Sequence, residues 1–87
     1  MSFSYEIQIQ SSICILSFSG TILSQDEYGD AMEIIDEKLA EGQRKFIIDL
    51  KELKQINSSG LNFILRIFTH IRNKGGELIL VHANKTI

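Results

Sequence analysis

Two short, almost unbroken apolar runs, Phe46-Ile47-Ile48-Asp49-Leu50 and Leu78-Ile79-Leu80-Val81, flank a segment whose apolar residues recur every three or four positions. That pattern leaves few folds open. Runs this short have strand length, not helix length. A strand lacking polar alternation reads as covered on both faces, as central strands of parallel sheets are. The segment between them predicts a helix that opens at Asn57-Ser58-Ser59-Gly60, carries Leu61, Ile64, Leu65, Phe68 and Ile71 along one side, and stops at Gly75-Gly76. Arg66, His70, Arg72 and Lys74 crowd its second half, where cations suit the negative end of the helix dipole. Strand, helix and strand in that order imply a right-handed crossover between parallel neighbours. Leu53 and Ile56 are expected to tuck inward from a loop that joins the first run to the helix.

The amino-terminal half adds an antiparallel edge. Tyr5, Ile7 and Ile9 alternate with Glu6, Gln8 and Gln10, the two-residue period of a strand with one wet face. Ser11-Ser12 is a two-residue turn, and residues 13–18 form the returning arm, ending at Gly20. Ser24-Gln25-Asp26-Glu27 fits a capping box. From it a first helix is predicted, with Tyr28, Ala31, Met32, Ile35 and Leu39 as its apolar stripe, an acidic outer face, and Gly42 as its stop. The expected architecture is therefore α/β, a mixed β-sheet of an N-terminal hairpin plus parallel strands, with helices packed on it. At 87 residues it is one domain spanning 1–87.

A chain of this size buries roughly 60–65% of its unfolded surface, so most of its 44% hydrophobic residues belong to a core and few remain to line a deep pocket. Nine Lys and Arg against eleven Asp and Glu give a net charge of −2, with the basic residues spread from Lys38 to Lys85. Nucleic-acid binding needs a concentrated cationic patch and is not indicated. No run approaches the ~18 apolar residues of a membrane span, and residues 1–6 carry no basic, apolar leader. The lone Cys14 has no disulfide partner and no metal-ligand spacing around it; it reads as a small apolar filler in a chain of the reducing cytoplasm. His70 on a helix surface and His82 at a partly buried strand end have no second ligand in reach, so no metal or cofactor is expected.

The chemistry-bearing stretch is Asn57-Ser58-Ser59-Gly60-Leu61, two hydroxyls at the start of a helix. Asn and Ser are preferred N-caps, so one of Asn57 or Ser58 is expected to satisfy orphan amides. The same helix start has partial positive charge and free amides, and would receive a phosphoryl group on Ser58 well. A hydrolase built on Ser58 would need a base within hydrogen-bond reach. None falls at an arguable spacing, so the chain reads as a non-enzyme.

Phe46-Ile47-Ile48-Asp49-Leu50, then Ile56-Asn57-Ser58-Ser59-Gly60-Leu61, then Gly75-Gly76-Glu77-Leu78, together resemble the STAS domain of bacterial anti-sigma factor antagonists over residues 5–82. The resemblance implies a partner switch that regulates transcription. The unphosphorylated domain binds an anti-sigma kinase of the GHKL type and frees a sigma factor. The kinase then phosphorylates the first Ser of the pair, which matches Ser58, and a PP2C-type phosphatase reverses the step. Asn57, Ser58, Ser59, Gly60, Leu61 and Asn62 would form the partner surface. By default Phe63 and Phe68 read as core and helix surface; as an alternative, Phe63 and Arg66 join the partner surface because they flank Ser58 by about a turn.

Two positions depart from the family pattern. Asn57 stands where an Asp usually precedes the phosphorylated Ser, and Leu23 where an acidic residue follows the second strand. They motivate an alternative, a STAS interaction module that is not phosphorylated, such as a sensory-complex scaffold or a transporter-ATPase subunit. Family members usually continue with another helix, strand and helix. The expectation is thus a truncated or minimal domain with its C-terminal elements missing and apolar surface exposed on its last strand.

Overall fold

The computed structural model describes residues 4–22 and 29–82. They form β1 (Ser4–Gln10), β2 (Ile13–Ile22), α1 (Gly29–Ala40), β3 (Lys45–Ile56), α2 (Ser58–Asn73) and β4 (Glu77–Val81), with the strands side by side in that order. β1 pairs with β2 antiparallel, while β2–β3 and β3–β4 are parallel. The mixed α/β sheet is the expected one. Ser11 and Ser12 turn the hairpin with φ of 52° and 69°, the positive values that both central residues of a type I′ connection require.

Register decides which face each side chain joins, because successive strand residues point to opposite sides. Cys14, Phe46 and Leu78 lie in register on one face, with Leu16 and Ile48 one pleat further along. On this face Cys14, Leu16, Phe18, Phe46, Ile48 and Leu50 are buried, in one cluster with Ala31, Ile35 and Leu39 of α1 and Phe63, Ile64, Ile67 and Ile71 of α2. Tyr5 and Ile7 pack against its margin from β1. Cys14 is fully enclosed, and burial pushes its thiol pKa up, as suits a packing residue.

The opposite face carries Ile15, Ile47 and Ile79 in register. Ile15 and Ile47 are only half-buried and Ile79 is 56% exposed. This corrects the expectation that the third strand is covered on both faces: its nearly continuous apolar run reflects a half-open apolar stripe. β4 is likewise not a buried strand. It pairs on one side only among the described residues, ends at Val81, and exposes Ile79 and Leu80.

β3 also overturns the expected loop after Leu50, since the strand runs on to Ile56. Two register shifts against β2, between Ser17 and Ser19 and between Gly20 and Thr21, each give β3 one residue more than its partner. Such bulges change which face later residues meet: the first brings Leu53 back into the core although it lies an odd number of residues from Leu50, and the second does the same for Ile56, which packs against the core's margin. Asp49 Oδ1 accepts from the Lys51 amide at 3.0 Å beside the first shift. Gly20, expected as the end of the second strand, sits within it at the second shift. The expected capping box at Ser24-Gln25-Asp26-Glu27, together with Leu23 and Tyr28, lies outside the described residues, as do residues 83–87.

α2 ends in a Schellman arrangement: the Gly76 amide donates to Ile71 O at 2.9 Å and the Gly75 amide to Arg72 O at 3.0 Å. Gly75 supplies the left-handed residue, with φ of 83°. Gly76 is needed for room. A Cβ there would meet Arg44 O at 2.7 Å and Ile71 Cγ2 at 2.9 Å, and the first of these is backbone that cannot swing away. Gly76→Ala is expected to cost about 1–3 kcal/mol, read as a lowered urea midpoint at unchanged slope.

Candidate functional site

The β3–α2 junction lies at the carboxyl ends of the parallel strands, where open α/β sheets present their binding surfaces. Ile22, the last residue of β2, is in register with Ile56, the last residue of β3, just ahead of the residues that open α2. Asn57 is the N-cap, in extended conformation, and its Oδ1 accepts from the Gly60 amide at 3.0 Å. Capping therefore falls to Asn57, and Ser58 becomes the first residue of the helix, exposed to solvent. Asn57→Ala is expected to cost about 1 kcal/mol while Asn57→Asp restores most of it, measurable by urea unfolding.

Other residues of the stretch differ in access. Asn57, Leu61 and Asn62 are exposed, Ser59 is half-buried, and Gly60 is buried against the core. Phe63 is 3% exposed and belongs to the core, its default reading, and not to the partner surface of the alternative. The reason is helical phase. The buried stripe of α2 is Gly60, Phe63, Ile64, Ile67 and Ile71, whereas Leu61, Leu65 and Phe68, placed on the inner side by the sequence reading, face outward. Arg66 is exposed, as expected. Beside it an open groove of about 720 Å³ runs between the two helices, lined by Met32, Asn62, Leu65, Arg66, Thr69, His70 and Asn73. Nothing in the sequence marked this groove, because α1 and α2 are far apart along the chain.

The charge around Ser58 is sparse. α2 has no acidic residue in its first turn, so its amino end keeps its partial positive charge. The histidines lie elsewhere. His70 bonds Asp36 and ties α2 to α1. His82, exposed and not half-sheltered as expected, donates from Nδ1 to Asp49 Oδ1 at 2.8 Å. The Lys51 amide and then His82 hold the Asp49 carboxyl below its usual pKa. Among the described residues, no three of His, Cys, Asp and Glu gather as a metal-ligand set. No helix of the described residues is long and apolar enough to cross a membrane.

An open-faced mixed sheet, helices on its other side and an exposed hydroxyl at the junction of β3 and α2 define a small α/β domain. Residues 4–87 match the STAS domain family, and the chain belongs to that family. No curated protein matches the chain. Among solved structures, a candidate anti-sigma factor antagonist from Thermotoga maritima is 25% identical with a TM-score of 0.72, covering 95% of this chain and 71% of its own. The STAS domain of an anti-sigma factor antagonist from Rhodobacter sphaeroides is 16% identical with a TM-score of 0.71, covering 99% of this chain and 96% of its own. The protein Mglu is 16% identical with a TM-score of 0.70 over 94% of this chain, which spans only 20% of Mglu's length.

Proposed function

We propose that this domain is an anti-sigma factor antagonist, a cytoplasmic bacterial partner switch without catalytic activity of its own. With Ser58 unphosphorylated it binds an anti-sigma kinase of the GHKL type and releases a sigma factor for transcription. Phosphorylation of Ser58 ends the complex, and a PP2C-type phosphatase resets it. Asn57, Ser58, Ser59, Leu61 and Asn62 form the contact surface, with Gly60 holding the turn beneath them.

One observation carries this reading: Asn57 performs the capping, so the exposed Ser58 hydroxyl is not required by the helix and is open to a kinase. The positive end of α2 would also stabilise the added charge of about −1.5 to −2. The test is incubation with a GHKL anti-sigma kinase and labelled ATP. The native chain should take up phosphate and Ser58→Ala should not; undiminished labelling of that variant removes Ser58 from the role. A second reading, a constitutive interaction module, draws on the neutral Asn57 at the cap. It predicts no labelling, and partner binding indifferent to Ser58→Asp.

A further inference from the structure

α2 carries a second apolar seam that the core does not use. Leu61, Leu65 and Phe68 follow one another at spacings of four and three, and are 44%, 54% and 37% exposed. This is helical periodicity on the outward side, separate from the buried stripe. Leu65 also floors the groove between the helices, together with Met32 of α1. The charge on α2 itself has one sign, and the acid nearest the groove, Asp36 of α1, is taken up by His70. α2 runs for 16 residues without an Asp or Glu. Arg66 and Arg72 are exposed, and among the described residues no ion pair engages either. The Arg72 guanidinium instead lies 5.7 Å from the Phe68 ring centroid, extending the seam by one more turn. In a chain of net charge −2, this helix is a local cationic surface around an apolar line.

We infer that the outer face of α2 docks an acidic amphipathic helix of a partner protein, whose apolar residues seat on Leu61, Leu65 and Phe68 and whose carboxylates face Arg66 and Arg72. A helix fits because the seam offers anchors at helical spacing, the arrangement of helix-in-groove recognition. A basic helix would meet uncompensated like charge, which selects against it. A flat lipid surface is a poorer match to three anchors on a helix whose opposite side is already committed to the core. Ser58 precedes Leu61 by three residues and so belongs to the same stretch of surface. Resting on the switch proposed above, a phosphoryl group there sets negative charge against an acidic occupant and weakens docking.

The experiment uses the unphosphorylated chain and needs no kinase. Two synthetic amphipathic peptides with leucine at heptad positions a and d are titrated, one with glutamate and one with lysine at the remaining positions, and backbone amide shifts are followed by NMR. The glutamate peptide is expected to bind, with the largest shifts at Leu61, Leu65, Phe68 and Arg72. Leu65→Ser should weaken it about tenfold. In Arg66→Glu/Arg72→Glu, two surface changes that leave the core intact, the preference should reverse toward the lysine peptide. Equal binding of both peptides, no binding of either, or shifts centred on Ile15, Ile47 and Ile79 would overturn the inference. So would association with phosphatidylglycerol vesicles in place of the glutamate peptide. Because the readout is independent of phosphate transfer, its failure would leave Ser58 labelling untouched, and failed labelling would leave the docking result standing.

Discussion

Under the proposed switch, Ser58→Asp is expected to lower the affinity for an anti-sigma kinase by about 30- to 150-fold, roughly 2–3 kcal/mol, without harming the fold. The two effects have opposite signs and can be separated. In the free domain the carboxylate enters the first turn of a helix that has no acid there, where the dipole favours it by about 0.3–1 kcal/mol. Thermal stability should therefore hold or rise slightly. In the complex, a surface fitted to a neutral hydroxyl must desolvate an anion or meet like charge. Ser58→Ala should keep affinity within a few-fold and lose only the phosphate label. Calorimetric titration against the kinase, alongside thermal melts, reads both halves. An unchanged dissociation constant for Ser58→Asp would reject charge as the release mechanism, and a lowered melting temperature would assign the loss to misfolding.

Phe46→Ala is expected to destabilise the domain by about 3–5 kcal/mol, a large share of the 5–15 kcal/mol typical of whole domains. Phe46 sits on a central strand, paired with Cys14 on one side and Leu78 on the other, and is 1% exposed. The helices cover it from a single side, so no second layer can shift to close the void. Urea unfolding followed by circular dichroism should show a much lower midpoint at similar slope, and Phe46→Leu should recover most of the loss. A change below about 1 kcal/mol would mean that the site collapses freely around the missing ring.

Much of this architecture was legible because local signals agreed with one another. Alternation at Tyr5 and Ile7, the serine pair at the turn, and Gly75-Gly76 at a helix end each point to one geometry, and each is present, whereas Ile9, expected on the same sheltered face, is 45% exposed. The errors share a physical origin. Leu50, Leu53 and Ile56 are spaced by three, which suits neither a regular strand nor an exposed loop, and only pairing with β2 reveals two bulges. The nearly continuous apolar runs of β3 and β4 could not say whether a second layer lies above them. On α2, apolar residues cover more than half the circumference, so pattern alone could not choose between the side bearing Phe63 and Ile67 and the side bearing Leu61 and Leu65. The site was read from chemistry, hydroxyls beside a helix start. The structure resolved which residue caps, Asn57, and left Ser58 facing water.

The paired irregularities of β3 have a consequence for how this chain can change over evolutionary time. Because each inserts a single residue, their sum restores the strand's original alternation before it hands over to α2. A lone deletion anywhere from Asp49 to Gln55 would leave an uncompensated half-step and put the rest of the strand, up to Ile56, on the wrong face. Losses in this strip should be tolerated in pairs or not at all.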